Sequence, residues 1–415
     1  MKIKDIGKVI TGKTPPTSHL EYFGGNIPFY TPTDIAKGFI VEHTERSITE
    51  DGFQSIYNNT IDGTSILVGC IGSDMGNVAI SLSRSASNQQ INSITKISKD
   101  HNPFYWYYRL SMMKDYFQSI AGSTATPLLP KSDFESIELG KCPSRDIQDS
   151  IANILTSLDR KISLNRKANE VLEKMAKQLY DYWFVQFDFP DENGKPYKSS
   201  GGKMVYNETL KREIPDGWEV KSINEVSESV RGVTYDRTDL IDDGILVLRG
   251  NNIQDNHLVY DNNTAYISEN LVGEQQRIKK GDIIMTMSSG SKEHIGKCMM
   301  FNYNSEHTFG AFLNCFRPNK ELQYYFFITL ISERFKATIK RICGGTGINN
   351  LTSQSFDGIY LTIPDACVLQ SFESKVKCMY DKYGQNELES LRLTSLRDFL
   401  LPMLMNGQVT IKNND

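Results

Sequence analysis

The sequence predicts an α+β protein: two homologous α/β domains, separated by two long helices that form an antiparallel coiled coil about a pseudo-twofold axis. Three observations predict it. The chain repeats itself at a long period, each repeat ends in a heptad-patterned stretch, and Gly, Ser, Asn and Thr crowd the loops between short apolar runs.

The repeat is clearest near the end of each half. Ala121-Gly122-Ser123-Thr124-Ala125-Thr126-Pro127 precedes Lys131-Ser132-Asp133-Phe134-Glu135-Ser136-Ile137, and Cys343-Gly344-Gly345-Thr346-Gly347-Ile348-Asn349 precedes Ser353-Gln354-Ser355-Phe356-Asp357-Gly358-Ile359. The offset from Phe134 to Phe356 is 222 residues. Solenoid repeats recur at roughly 20–50 residues, so this period means a duplicated domain. Upstream, Ile27 to Ile35 aligns with Ile245 to Ile253, and Ser65 to Val68 with Asp282 to Met285. Short apolar runs bounded by Gly, Asn or Asp read as buried strands. Phe134 and Phe356 are likewise expected on strands, as is the start of the chain at Lys2-Ile3-Lys4.

Each globular stretch is followed by a different texture. Between Ile147 and Trp183 there is neither Gly nor Pro. Ile151, Leu155, Leu158, Ile162, Asn165, Asn169, Leu172, Ala176, Leu179 and Trp183 alternate steps of four and three. That is a heptad seam, and it predicts a long helix that packs lengthwise on another. Pro143-Ser144 supplies its stop and cap. The seam returns at an offset of 221 as Val376, Met379, Tyr383, Asn386, Ser390, Leu393 and Leu400. The polar break at Asn165 recurs as Asn386, a device that costs stability and fixes register. Such a pair would serve as a spacer of fixed length. The expected organisation is a globular domain over 1–145, a long helix over 146–187, an exposed linker over 188–214, a second globular domain over 215–365 and a second long helix over 366–408.

Composition narrows the function. The chain has 415 residues and a net charge of -4, whereas nucleic-acid binders usually carry a basic excess, so any basic surface must be local. No apolar run approaches a membrane span of about 20 residues. Seven cysteines without a C-x-x-C pair fit a reducing cytoplasm and neither disulfides nor a zinc site. The six histidines form no metal-ligand pair at helical spacing.

Three catalytic patterns are tempting and fail on context. Gly7 to Thr14 spells a P-loop, but Pro15 and Pro16 follow where a helix must begin. Asn102-Pro103-Phe104-Tyr105 approximates the motif of amino-group DNA methyltransferases, yet no glycine-rich methyl-donor loop accompanies it. The aromatic run that follows, like its counterpart Tyr324 to Phe327, reads as core. Pro364-Asp365 with Glu373 and Lys375 matches a loose nuclease pattern, but the last two fall on different faces of the second long helix. No catalytic residue, metal site or cofactor site is expected in this chain.

Ile147 to Leu155, Leu158-Asp159-Arg160-Lys161-Ile162, Leu164-Asn165-Arg166-Lys167 and Leu179 to Phe187 resemble the central helical region of the DNA specificity subunit of type I restriction–modification systems. Leu396-Arg397-Asp398-Phe399-Leu400-Leu401-Pro402, Leu404 and Asn406-Gly407 are similar to its C-terminal helical region. Glu213-Ile214-Pro215-Asp216-Gly217-Trp218 looks like the usual start of a target-recognition domain, which the first repeat lacks. The resemblance implies a subunit without an active site, whose two target-recognition domains read the halves of a bipartite double-stranded DNA site. It also implies partners: two modification subunits that methylate adenine N6 with S-adenosylmethionine, and two motor-nuclease restriction subunits that use ATP and magnesium. Two rivals stand beside it, a DNA-free assembly scaffold and a stand-alone methyltransferase or nuclease.

Bases are read by Arg, Lys, Asn, Gln, Ser and Thr, and phosphates by cations and backbone amides. The candidate DNA contacts in the first repeat are Thr11, Lys13, Thr33, Ser73, Asn88, Gln89, Gln90, Gly122, Ser123, Thr124 and Lys131. In the second they are Arg231, Arg249, Asn251, Asn252, Ser289, Ser291, Lys292, Gly344, Gly345, Thr346 and Asn349. Tyr180, Tyr182, Trp183, Phe184 and Phe187 are expected to pack mostly within the chain.

Overall fold

A computed structural model describes residues 1–121, 127–260, 264–343 and 350–409. The chain forms two compact units, residues 1–163 with 390–415, and residues 164–389. The division cuts through both long helices, so neither unit ends where the sequence suggests a boundary.

In the first unit, β1 (Lys8–Thr11), β2 (Phe23–Tyr30), β3 (Arg46–Ile48), β4 (Thr60–Ile61), β5 (Ser65–Gly69), β6 (Val78–Ser81), β7 (Ser85–Ser87) and β8 (Ile91–Thr95) make two four-stranded sheets. One has the order β1-β8-β5-β6 and is antiparallel; the other runs β3-β2-β7-β4, with β2 and β7 parallel. Helices α1 (Pro32–Ile35), α2 (Glu50–Ser55), α3 (Pro103–Ser111), α4 (Lys114–Ile120) and α5 (Lys131–Ser136) surround them. The aromatic run is core, since Tyr105, Trp106 and Tyr108 of α3 are buried against Ile66, Ile80 and Ile94.

α6 (Arg145–Tyr180) is one helix of 36 residues, about 54 Å long at 1.5 Å per residue. It ends in a π turn, Asp181–Val185. The rest of the second unit holds β9 (Met204–Asn207), β10 (Arg212–Pro215), β11 (Glu219–Ser222), α7 (Ile223–Val226), β12 (Ser227–Arg231), β13 (Leu240–Ile241), β14 (Ile245–Leu248), β15 (Ile253–Gln254), β16 (His257–Leu258), β17 (Ala265–Ile267), β18 (Ile283–Thr286), β19 (Cys298–Met300), β20 (Thr308–Phe309), β21 (Leu313–Pro318), α8 (Gln323–Ile331), α9 (Glu333–Cys343) and β22 (Tyr360–Ile363). α10 (Ala366–Met405) closes the chain.

The duplication is visible in sheet order. The arrangement β12-β21-β18-β19 repeats β1-β8-β5-β6, and the parallel pair β14/β20 repeats β2/β7. The turn after each parallel strand also repeats. Thr31 donates its backbone N–H to Asp34, and Arg249 donates its own to Asn252, which stands in the same place.

The heptad seam is real and its burial uneven. Leu155, Ile162, Asn165, Val376, Tyr383 and Asn386 are buried, whereas Leu158, Leu172, Leu179, Met379, Leu393 and Leu400 are half-buried. At three of these points the next residue takes the buried place, namely Asp159, Tyr180 and Tyr380, because 3.6 residues per turn drifts against a strict seven-residue repeat. The pairing is antiparallel. In the second unit Asn169 donates to the Tyr383 carbonyl and Asn165 to the Asn386 carbonyl, while Tyr180 lies against Phe372. In the first unit Asp159 meets Arg397.

Three local expectations are corrected. Phe134 lies in α5 and Phe356 in a 3-10 turn, Ser353–Phe356; a single buried aromatic anchors either element equally well. Ile3–Asp5 is a 3-10 turn, not a strand. Residues 188–214 are more than an exposed linker, since β9 and β10 form a hairpin and Phe189 stacks between Tyr197 and Trp218. Trp183, Phe184, Tyr180 and Phe187 are buried in the same core, and Tyr182 is exposed.

Candidate nucleic-acid interface

In the first repeat, strand ends gather the polar candidates. Thr11 closes β1 opposite Asn92 of β8, and its hydroxyl donates to the Asn92 side-chain oxygen at 2.7 Å. The Asn59 amide donates to the Thr11 carbonyl at 2.9 Å. Gly12 has to be glycine, because a Cβ there would lie 2.1 Å from the Asn88 carbonyl. Asn88 donates its backbone N–H to Tyr30 at the end of β2, and its side chain donates to Gln90 at 2.9 Å. Gln89 accepts from Thr14 at 3.1 Å. Thus Thr11, Asn88, Gln89 and Gln90 form one loop cluster, with Lys13 exposed beside it. Thr33 is exposed on α1, just past the end of β2, and Ser73 is exposed in the turn after β5. Lys131 begins α5 and is paired with Glu135 at 3.4 Å. Gly122, Ser123 and Thr124 lie outside the described residues.

The second repeat builds the same place from other side chains. Arg231 closes β12 opposite Asn314, as Thr11 stands opposite Asn92. It is exposed. Arg249 follows β14; its Nε and the Thr286 hydroxyl at the end of β18 are buried without a hydrogen-bond partner among the described residues. Asn251 is exposed. Asn252 is only 2% exposed; besides accepting from Arg249 it donates to the Val259 carbonyl at 2.9 Å. In this structure it therefore builds the turn, with its side chain buried. Ser289 and Ser291 hold their own turn, with the Ser291 N–H donating to the Ser289 hydroxyl and the Glu293 N–H to the Ser291 hydroxyl. The side chain of Lys292, and Gly344, Gly345, Thr346 and Asn349, lie outside the described residues.

Sequence reading missed Phe312. It precedes β21 and is 70% exposed. Its carbonyl accepts from Met287 and Ser288, and with Arg231, Met287, Asn314, Asn350 and Ser353 it lines a cavity of about 340 Å³. The missed Asn92 and Asn314 were within reach, because they stand at the repeat offset of Phe134 and Phe356.

The discarded catalytic patterns have structural roles. Asn102 caps α3 by accepting from the N–H groups of Phe104 and Tyr105. Glu373 caps α8 by accepting from Tyr324 and Tyr325 at 3.1 and 2.7 Å. Lys8 to Thr11 of the P-loop pattern is β1, and the chain turns into Pro15 and Pro16 rather than a helix. Among the described residues no group of three or more His, Cys, Asp or Glu could hold a metal ion.

Twice-built polar loop clusters on duplicated sheets, joined to paired helices, define a recognition protein. The chain matches the type I restriction modification DNA specificity domain over residues 1–174 and again over 215–370, and it belongs to that family. It is 28% identical to the MjaIX specificity subunit of Methanocaldococcus jannaschii, over 99% of this chain and 93% of that protein. It is 30% identical to the EcoKI specificity subunit of Escherichia coli, over 48% and 45% of the two chains. The fold resembles the crystal structure of the S subunit from M. genitalium, with a TM-score of 0.57, 18% identity and coverage of 97% and 95%. The protein is a non-catalytic specificity subunit, recognising the DNA target within a restriction–modification assembly. No helix of the described residues is long and apolar enough to cross a membrane.

Proposed function

We propose that each repeat reads one half of a bipartite duplex site through its own loop cluster. The observation that carries this is a repeated strand framework with different side chains: Thr11 and Gln90 in one repeat, Arg231 and Phe312 in the other. Two different half-sites follow from two different sets of groove-reading groups. Two modification subunits dock on this chain and methylate adenine N6 with S-adenosylmethionine, the base leaving the stack to be reached. Two restriction subunits add ATP- and magnesium-dependent translocation and cleavage, and the assembly works in the cytoplasm. The paired helices set the unread gap.

A second seam along α6 and the π turn that follows it supports docking. Leu164, Ala168, Val171, Met175, Gln178, Tyr182 and Val185 follow steps of four and three, and the five largest apolar members are 40–61% exposed. Exposed apolar heptads suit a partner helix.

The test is a genome-wide map of N6-methyladenine in a host expressing this chain with its modification subunit, against the modification subunit alone. A two-part motif with a fixed gap, dependent on this chain, is expected. No new methylation, with both proteins soluble and associated, overturns the reading and favours a DNA-free scaffold, which the acidic net charge would suit.

A further inference from the structure

Arg212 opens β10, in the second unit, and its position is electrostatically unfavourable. The guanidinium sits over the Phe187 ring at 5.3 Å from the centroid. Its Nε is buried and has no hydrogen-bond partner among the described residues. Among the described residues no carboxylate forms an ion pair with it. Burial, and then the like charge of Arg334, pull its pKa below the usual arginine value. A partly buried charge left in this way is unfavourable unless something answers it.

The side chain borders a cavity of about 450 Å³ that Arg334 and Lys177 also line. Three cations thus face two carboxylates, Asp181 and Glu333, and Glu333 is already paired with Lys336 at 3.1 Å. The excess is positive in a protein whose net charge is negative. The wall on the α6 side is the π turn Asp181–Val185. Such turns widen a helix and recur at functional sites. Tyr180, Phe184 and Tyr325 supply an apolar floor.

We propose that this cavity is a binding site for a phosphate oxyanion, with Arg212 and Arg334 as its charged ligands and Lys177 at its rim. A guanidinium fork matches phosphate oxygens in pairs, and a doubly charged oxyanion answers the excess of cations. The site shares no lining residue with the loop clusters assigned to DNA reading and does not rest on that assignment. Two sources share this chemistry: a free phosphate ester, or a backbone phosphate of DNA.

The experiment uses the full chain in phosphate-free buffer. Calorimetric titration and thermal unfolding are followed with inorganic phosphate, with adenosine monophosphate, and with a duplex lacking any target. Saturable phosphate binding that raises the unfolding midpoint is expected. R334Q, at an exposed position, weakens it by about tenfold, the scale of one charge-assisted hydrogen bond. R212Q abolishes the phosphate-dependent shift, yet without phosphate it unfolds no earlier than the parent, because it removes an unanswered charge. Competition by the duplex assigns the phosphate to DNA; its absence assigns a free ester. No saturable binding by the parent, or binding unchanged in both variants, overturns the proposal.

Discussion

Asn386 donates its side-chain amide to the side-chain oxygen of Asn169 at 2.8 Å, inside the seam between α6 and α10. Asn165 reaches the Asn386 carbonyl from the next turn at 3.4 Å. The polar break written into both heptad patterns is therefore one connected feature. Asn386→Ala leaves a buried acceptor short of a donor and should cost about 1–3 kcal/mol, read by urea unfolding. Replacing Asn169 and Asn386 together by Leu should restore or raise stability while loosening register and partner choice. Sedimentation of parent and double variant would then show more self-association in the variant; a strictly unchanged species would sink the register argument.

Asp159 carries the corresponding load in the first unit. It is buried, accepts from the Tyr108 hydroxyl at 2.5 Å and pairs with Arg397 at 2.7 Å. Both carboxylate oxygens are thus engaged. Arg397→Ala strands a buried charge and should destabilise by about 3 kcal/mol. Arg397→Lys keeps the charge but loses the fork, so an intermediate loss is expected. Equal stability of all three proteins would mean that water answers Asp159 without Arg397.

How much of this was legible depended on the range of the determining interaction. The long helices, the recurrence of Asn165 as Asn386, and the aligned strands at Ile27, Ile245, Ser65 and Asp282 follow from periodicity and repeat offset. Phe134 and Phe356 did not, since a buried aromatic in a short segment fits a helical turn as well as a strand. The burial of Asn252 was not legible because a polar residue in a glycine-rich loop looks exposed, while its bonds to Arg249 and Val259 exist only once the turn closes. Phe312 was invisible because an isolated Phe among polar residues signals core by default, and only the tight link between β20 and β21 pushes it outward.

The loop clusters predict a contrast between neighbours. Arg231→Ala should weaken DNA binding by about 1–3 kcal/mol and relax preference at one position of a single half-site, if it reads a base edge. If it touches phosphate, the loss is uniform across sequences and the salt dependence falls by about one charge. Asn252→Ala should instead lower the unfolding midpoint, since it empties a buried turn. Binding assays with variant duplexes in each half-site, beside thermal melts, separate the three outcomes. Full binding in Arg231→Ala would remove this residue from the interface.

Stability in the second unit should fall as pH rises. Burial pushes the Glu387 carboxyl up to about 7, aided by the negative charge of Glu173, against the pull of the Asn302 amide. Burial likewise raises Glu173 to about 7, with Glu170 adding to it. A carboxyl whose folded pKa exceeds its unfolded value of about 4.3 binds its proton more tightly when folded. Its contribution is complete below about pH 4.3 and is lost as pH climbs through 7, a change of about 1–2 kcal/mol per carboxyl between roughly pH 5.5 and 8. His257, whose ring lies 3.6 Å from Glu173, has its pKa lowered by burial. It acts the other way, removing stability as acid protonates it, so the carboxyl effect is read cleanly only above about pH 6.5. Over that range Glu387→Gln should flatten the decline and leave the variant relatively more stable at the alkaline end. Parallel slopes in parent and variant, followed by urea unfolding across pH, would show that Glu387 is already ionised in the folded chain.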